Sequence, residues 1–219
     1  MARILVLYGS RDGHTALIAH TIAEVLRSHA HTVDVRDAVA LPSSFSARVF
    51  DGVVVGAAVR WGRHHPAIRA FLRENALLLS RKPAWLFSVS LAAADTAGQG
   101  RAQAALRADE LVAECGWTPG RIELLAGALR YGEYGFLLRQ VMRLVARKAG
   151  LSTDTSKDHT YTDWPEVRRF ARDFGLRVEP RDLDEERGAF APVTEEAAAV
   201  DVEPSERVTV IGHPSMHRD

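Results

Sequence analysis

RILVLYGSRDGHT (residues 3–15) joins an apolar run to a helical pattern through a short polar loop. The run from Ile4 to Tyr8 predicts a buried strand. A loop of this kind presents hydroxyls, a glycine and backbone N–H groups at a helix N-terminus, where the helix dipole favours a phosphate. The spacing matches neither G-x-G-x-x-G nor a P-loop, so an ordinary strand-to-helix turn remains an alternative. The candidate phosphate-binding residues are Ser10, Arg11, Asp12, Gly13, His14 and Thr15.

The composition of the 219 residues bounds the class of protein. With 47% hydrophobic residues the chain can build a full core. No apolar run approaches the roughly 20 residues needed to span a bilayer, and charges at Arg11 and Asp12 argue against a signal peptide. The single cysteine, Cys115, excludes an internal disulfide and suits a reducing cytoplasm. It falls on the apolar face of a predicted helix, which favours a buried structural thiol over a nucleophile.

Charge divides the chain into two parts. The chain has 28 basic and 28 acidic residues, and residues 177–219 hold 5 of the basic and 11 of the acidic ones. Residues 1–176 therefore hold 23 basic and 17 acidic residues. The body therefore has a surplus of six positive charges that could favour anionic partners, although it is too diffuse to indicate nucleic acid. No zinc-ligand spacing is present, and no metal is expected. The acidic stretch 177–219, rich in Ala and Pro, predicts a mostly disordered tail.

Strand and helix patterns alternate along residues 1–176 and predict an α/β domain with a parallel sheet wound on both sides. The first helix, with Leu17, Ile18, Ile22, Val25 and Leu26 on its apolar face, ends near Ser28. The further strands are expected at Thr32 to Arg36, Phe50 to Ala57, Pro83 to Ser90 and Ile122 to Leu129. The further helices are expected from Pro66 to Leu79, from Arg101 to Cys115 and from Trp164 to Gly175. An exposed second strand fits the order 2-1-3-4-5, which puts the ligand crevice between the first and third strands.

Two more loops are expected at this crevice. The loop after the third strand offers Ala58, Val59, Arg60, Trp61 and Gly62, and the loop after the fourth offers Ser90, Leu91, Ala92, Ala93 and Ala94. Trp61 could stack on a flat conjugated ring, or it could merely cover the end of the sheet. Gly56-Ala57-Ala58 excludes a phosphorylated receiver domain, which needs an aspartate there. The first loop resembles the monophosphate loop of flavodoxins, and three loops at one crevice favour FMN.

Residues 131–161 form a predicted insertion after the fifth strand. A helix over residues 134–149 has a wide apolar face and the basic residues Arg139, Arg143, Arg147 and Lys148. Such a helix could lie on an anionic membrane surface, or it could pack on the domain and leave its arginines in solvent. The last helix follows Asp163 as a cap and Pro165 in the first turn.

Several motifs in the same order resemble one family. GSRDGHT (9–15), AAVRWGRHH (57–65), AGALRY (126–131), TDTSKDHTYTDW (153–164) and FARDF (170–174) are similar to the flavodoxin-like, quinone-dependent protoporphyrinogen oxidases of bacterial haem biosynthesis. The resemblance covers about residues 3–175, and the helix after the fifth strand corresponds to the insertion that distinguishes this family from plain flavodoxins.

The resemblance implies an FMN-dependent oxidation of protoporphyrinogen IX to protoporphyrin IX, with electrons passed to a respiratory quinone. It implies that residues 10–15 hold the FMN phosphate and that residues 58–62 and 90–94 hold the flavin ring. From charge and position, the candidates for the propionates of the substrate are Arg60, Arg63, His64, Arg130 and Tyr131. His64 is a weak candidate for proton relay, since flavin carries the chemistry. The basic helix would dock a cytoplasmic protein on the inner face of the cell membrane.

Three other functions remain open from the sequence. An FMN-dependent NAD(P)H:quinone or small-molecule reductase needs no further motif. A flavodoxin-type electron carrier is disfavoured by the arginines near the crevice, because such carriers are usually acidic there. A flavodoxin fold that binds no flavin would be an interaction module. The sequence leaves the oligomeric state open.

Overall fold

A parallel sheet forms the centre of the protein. The computed structural model describes residues 1–95, 98–129, 154 and 159–179. The strands within these residues are β1 (Arg3–Gly9), β2 (Thr32–Asp37), β3 (Gly52–Arg60), β4 (Arg63–His64), β5 (Ala84–Ser90), β6 (Ile122–Ala126), β7 (Ala128–Leu129) and β8 (His159–Thr160). Five of them run parallel in the order β2-β1-β3-β5-β6, and β4 pairs antiparallel with β3. Apart from the short β4, this is the predicted order 2-1-3-4-5, which is confirmed.

Helices cover both faces of the sheet. They are α1 (His14–Ser28), α2 (Pro66–Leu79), α3 (Gln99–Cys115) and α4 (Trp164–Gly175), with short 3-10 turns at Ala38–Ala40, Ala47–Val49 and Ala92–Ala94. One core cluster contains residues of α1 and α4, and the other contains residues of α2 and α3. The Asp163 side chain accepts a bond from the Glu166 amide at 3.2 Å and so caps α4, as predicted.

The central strands are apolar on both faces because each face is covered by helices. Along β1, Ile4 and Val6 belong to the cluster under α1 and α4, while Leu5 and Leu7 belong to the opposite cluster. All four side chains are fully buried. By contrast, the edge strand β2 is only partly buried, in agreement with its alternating sequence. The double burial therefore fixes β1 at an interior position of the sheet.

The predicted apolar face of α1 is wrong at Leu17. Its side chain is 52% exposed, whereas Ile18, Ile22 and Leu26 are fully buried. The buried stripe of α1 runs through Thr15, Ile18 and Ile22, so the helix is rotated such that Leu17 faces solvent. Val25 is partly buried and packs against the core.

Two strands end differently from the prediction. β3 continues beyond Ala57 to Arg60, since it pairs there with β4 in a short hairpin. The predicted single strand from Ile122 to Leu129 is wrong, because pairing with β5 stops at Ala126. After Gly127 the chain pairs instead with β8, which precedes α4. The sheet edge is thereby tied to the segment that leads into the last helix.

Several predicted elements lie outside the described residues. These are the helix over residues 134–149 with its basic residues, most of the insertion 131–161, Arg130, Tyr131, and the tail from residue 180 onward. In the part of the chain that is described, no helix is long and apolar enough to cross a membrane. Cys115 is buried, as expected for a structural thiol, and its Sγ lies 3.6 Å from the carbonyl oxygen of Arg69.

Gly56 is required by a close approach between β3 and β5. A Cβ at this position would lie 2.1 Å from the ring of Phe87, its register partner, and that ring is fully buried. We expect Gly56→Ala to lower the free energy of unfolding by about 3 kcal/mol, because a packed core cannot absorb the added methyl. Urea unfolding monitored by circular dichroism measures the change.

Gly127→Ala is the matched control, since its added Cβ would make an ordinary contact of 3.4 Å with Val89. Phe87→Leu in the Gly56→Ala background should recover part of the loss, because the smaller side chain makes room. Strict additivity of the two substitutions would show that the ring is not the obstacle.

Candidate functional site

A cavity of about 710 Å³ lies at the carboxyl edge of the sheet. It is bordered by the residues that follow β1, by the end of β3 with its hairpin, and by the residues that follow β5 and β6. The sequence predicted a crevice at the ends of the first and third strands, and the cavity lies there. Of the predicted flavin-site residues, it is lined by Ser10, Arg11, Asp12, His14, Thr15, Ala58, Val59, Arg60, Trp61, Gly62, Ser90, Leu91 and Ala92.

The remaining predicted residues divide into three groups. Arg63 and His64 line the same cavity. Gly13, Ala93 and Ala94 belong to the same loops and are not among the lining residues. The positions of Arg130 and Tyr131 fall outside the described residues.

The loop after β1 places a helix N-terminus at the cavity. Gly13 occupies the N-cap position of α1 in a left-handed conformation, with φ 74°, and it has no side chain to accept a bond from the first-turn amides. Thr15 is buried and lines the cavity. The first turn of a helix carries partial positive charge and N–H donors. This end of the cavity is therefore suited to an anionic group.

An ion pair joins the loop after β1 to the end of β3 at the cavity. Arg60 Nη1 lies 3.2 Å from Asp12 Oδ1, and both side chains are partly exposed. Partly exposed pairs contribute little to stability. The consequence of this pair is electrostatic, because Arg60 offsets the negative charge that Asp12 brings to a loop otherwise suited to an anion.

Trp61 stands at the tip of the β3–β4 hairpin. Arg60 and Arg63 are register partners, which leaves Trp61 and Gly62 as a two-residue turn, and both have positive φ, 51° and 72°. Such turns require positive φ at both positions, which costs a non-glycine residue about 1–2 kcal/mol. The Trp61 side chain is 66% exposed although it lines the cavity. An aromatic face is thus held at the rim of the cavity by backbone geometry rather than by packing.

His64, on strand β4 of this hairpin, is buried. It is 6% exposed, and its Nε2 lies 3.0 Å from the hydroxyl of Ser88. Burial is the main cause that lowers the pKa of His64 to about 4; Glu110 and Glu114 act in the opposite direction, while Arg69 and Arg107 lower it further. His64 is therefore neutral at pH 7 and offers hydrogen bonds but no positive charge.

A chain of hydrogen bonds connects the first loop to the segment before α4. Thr162 donates its hydroxyl proton to the carbonyl oxygen of Ala126 at 2.7 Å, and its oxygen lies 2.7 Å from His14 Nε2. Because that hydroxyl proton is used, the His14 ring nitrogen is the donor. The His14 ring also meets Trp164 edge-on, with centroids 6.1 Å apart. The motif around residues 161–164 thus fixes the first residue of α1.

Small residues form the side of the cavity that follows β5. The Ser90 hydroxyl accepts a bond from the Ala93 amide at 3.2 Å, which closes the turn, and the Gly127 amide donates to the Ser90 carbonyl oxygen at 3.0 Å. Ser90, Leu91 and Ala92 line the cavity here, so this wall is uncharged and, apart from Leu91, built of small side chains. A flat ligand can approach such a wall closely.

Sequence reasoning missed the contribution of the helices. Arg69 on α2 and Gln103, Ala104 and Arg107 on α3 also line the cavity. They lie on helices rather than in the loops after the strands, so only the packing of α2 and α3 against the hairpin brings them there. Their helical spacing in the sequence is that of ordinary surface residues, and no motif marks them.

Comparisons with known proteins agree with this architecture. The model of the flavodoxin domain family matches residues 5–156. A protoporphyrinogen IX dehydrogenase (quinone) from Escherichia coli K12 is 33% identical over 171 residues, which cover 78% of this chain and 93% of the relative. A protein of the same name from Leishmania major is 32% identical over 186 residues, which cover 82% of this chain and 78% of the relative. Among solved structures, oxidised flavodoxin 1 from Bacillus cereus is 16% identical, with a TM-score of 0.51 over 81% of this chain and all of that one.

The fold and the loops at the carboxyl edge define a protein of the flavodoxin class. Within that class the chain belongs to the protoporphyrinogen IX dehydrogenase (quinone) family, and it is an oxidoreductase. The family predicted from the sequence motifs is confirmed.

The buried His64 makes stability depend on pH. Because its pKa is about 4 in the folded state and 6.5 in the unfolded state, the unfolded chain binds more protons between these values. Stability is therefore lost as the pH falls from 6.5 to 4, by up to about 3 kcal/mol. We expect His64→Gln to unfold with a shallower pH dependence in this window. Urea titrations at a series of pH values measure the slope.

Ser88→Ala is the control for the cause of this shift. It removes the hydroxyl partner but leaves the ring buried, so the acid destabilisation should persist. If Ser88→Ala abolished the acid destabilisation as His64→Gln does, the hydrogen bond rather than burial of His64 would be responsible. If the destabilisation persisted in His64→Gln, His64 would not be the group that titrates.

Proposed function

We propose that the chain binds FMN in the cavity at the carboxyl edge and oxidises protoporphyrinogen IX to protoporphyrin IX, with electrons passed to a membrane quinone. The observation that carries this proposal is that a helix N-terminus, an exposed tryptophan and a wall of small residues meet in one cavity. The names of the Escherichia coli and Leishmania major relatives support the substrate and the acceptor.

The cavity suits FMN in size and in chemistry. Its volume of about 710 Å³ lies within the roughly 300–1,000 Å³ of ligand sites. Residues 10–15 would hold the phosphate through the first-turn amides of α1 and the hydroxyls of Ser10 and Thr15. Arg60 supports this role because it offsets the charge of Asp12.

The flavin ring would lie between the hairpin residues 58–62 and the loop 90–94. When bound, FMN supplies the redox chemistry by accepting electrons from the substrate and giving them to the quinone. Trp61 would cover one ring face, and the backbone near Leu91 and Ala92 would approach the other side. The hairpin thus orients the ring and limits the access of water.

Arginines around the cavity favour an anionic substrate over a basic protein partner. Among the described residues, five arginines and one aspartate line it: Arg11, Arg60, Arg63, Arg69, Arg107 and Asp12. An electron carrier that docks on basic reductases would need the opposite sign. Propionate groups of a porphyrinogen fit this field, with Arg60, Arg63 and His64 as the predicted contacts.

The remaining substrate and membrane contacts fall outside the described residues. Arg130 and Tyr131 would extend the substrate site, and the helix over residues 134–149 would meet an anionic membrane surface where the quinone resides. Its basic residues are Arg139, Arg143, Arg147 and Lys148. A peripheral position on the inner face of the cell membrane is the corresponding location.

Thr162 is expected to support binding of the FMN phosphate. Thr162→Val removes the hydrogen bond to His14 at the start of α1 and the hydrogen bond that anchors Thr162 to Ala126. We expect the dissociation constant for FMN to rise about ten-fold, as for the loss of one good hydrogen bond. That for riboflavin, which lacks the phosphate, should stay unchanged. Quenching of flavin fluorescence measures both.

Thr162→Ser is the matched control, since it keeps the hydroxyl and should bind FMN as the parent does. Equal weakening of FMN and riboflavin in Thr162→Val would indicate a general loss of fold and would contradict a role directed at the phosphate.

The proposed reaction is tested under anaerobic conditions. The FMN-loaded protein is mixed with protoporphyrinogen IX and a soluble quinone, and porphyrin fluorescence is followed. We expect flavin-dependent porphyrin formation that is strongly reduced in Trp61→Ala and Arg60→Ala. Flavin binding without porphyrin formation above the uncatalysed rate would overturn the proposed substrate. Rapid bleaching of the flavin by NADH or NADPH would then indicate a reductase.

A further inference from the structure

A second, smaller cavity adjoins the large one beneath the β3–β4 hairpin. It has a volume of about 380 Å³ and shares Gly62, Arg63, His64, Arg69 and Arg107 with the large cavity. Its remaining lining comes from α3, namely Glu110, Leu111 and Glu114. A ligand in the large cavity can therefore extend a side group into this one without leaving the surface that the two share.

Arginines from three elements gather at the second cavity. Arg63 comes from β4, Arg69 from α2 and Arg107 from α3. A Cβ at Gly62 would lie 3.8 Å from Arg107 Nε, so the Arg107 guanidinium passes directly beside the hairpin turn. A Cβ at position 62 would make only an ordinary contact with Arg107, and glycine is favoured there by its left-handed φ of 72°.

Nearby carboxylates neutralise only part of this charge. Glu114 pairs with both Arg69 and Arg73, and Glu110 pairs with Arg107 at 2.7 Å. Two carboxylates therefore form ion pairs with three arginines. Within the described residues, no carboxylate forms an ion pair with Arg63. His64 adds no positive charge, since burial keeps it neutral. The second cavity retains positive charge on the side of Arg63.

The hairpin itself places two like charges opposite each other. Arg60 and Arg63 are a register pair across β3 and β4, and like charges at such positions are destabilising. Asp12 relieves the repulsion at Arg60. An anion beside Arg63 would relieve it from the other side, and Arg107 is placed to share that anion.

We propose that the second cavity is the carboxylate-binding subsite of the substrate, in which Arg63 and Arg107 hold a propionate group of a macrocycle bound beside the flavin, at the opening of the large cavity. The proposal rests on the proposed function, because it takes its ligand from that reaction. Guanidinium groups bind carboxylates with paired, charge-assisted hydrogen bonds. Arg107 is not among the substrate contacts predicted from the sequence. Its position beside Gly62 and in the lining of the second cavity places it in this subsite.

Binding of the reaction product tests the proposed subsite without requiring enzyme turnover. Protoporphyrin IX and its dimethyl ester are titrated into the FMN-loaded protein in the same detergent, and quenching of tryptophan fluorescence is followed. The parent protein should prefer the free acid about ten-fold, the ratio expected for one good charge-assisted contact. Arg63→Gln and Arg107→Gln should each lose most of this preference while binding the ester as the parent does.

Arg73→Gln is the matched control. Arg73 pairs with the same Glu114 and lies on α2, but it does not line either cavity. Its substitution should leave the preference for the free acid intact. In steady-state assays Arg107→Gln should raise KM for protoporphyrinogen IX more than it lowers kcat, since a propionate contact is made equally in the bound substrate and in the transition state.

The outcomes separate this proposal from the proposed reaction. Equal affinity of the parent for acid and ester would overturn the carboxylate subsite even if oxidation proceeds. A preference lost equally in Arg73→Gln would also overturn it, because general surface charge would then be the cause. A preference lost only in Arg63→Gln and Arg107→Gln supports the subsite even if no porphyrin is formed, in which case only the proposed reaction is withdrawn.

Discussion

Strands β1 and β3 bury apolar side chains on both faces, and this double burial determines where polar groups can lie. Because the five main strands are parallel, each connection between them has to return from the carboxyl end of one strand to the amino end of the next, over a face of the sheet that its helix covers. The loops that leave the carboxyl ends of the strands therefore meet at one edge, and the large cavity lies there. Close packing between Gly56 and Phe87 keeps β3 and β5 at the separation this edge requires.

Several charged side chains near the carboxyl edge of the sheet form ion pairs with one another. The ion pair between Asp12 and Arg60 joins the loop after β1 to the end of β3. Glu114 on α3 pairs with two arginines of α2. These pairs are partly exposed and contribute little to stability. Their effect is to set the local sign of the field, which stays positive because arginines outnumber carboxylates along the cavity. An anionic ligand is favoured for the same reason.

The strand order, the carboxyl-edge site and most loop residues could be predicted from sequence, because the apolar runs and the polar loops that end them are local signals. Leu17 was misassigned, since both sides of the α1 stripe carry apolar residues and only packing decides its rotation. The break at Gly127 depends on pairing with β8, more than thirty residues away. Arg69 and Arg107 reach the site through helix packing, which leaves no local pattern.

Three unfavourable features lie together in the hairpin segment of residues 59–65. Trp61 has a left-handed backbone, and Arg60 lies opposite Arg63 on the paired strand. His64 is buried, which destabilises its protonated form. The first two lower stability at any pH and the third only below pH 6.5, whereas the buried apolar residues of β1 show no comparable conflict. Local costs that gather in one segment are typical of a functional site, where strain persists because the surrounding structure over-determines it. A planar, anionic ligand would offset one of these costs, since it would neutralise the charge of Arg63. It would also cover the exposed ring of Trp61.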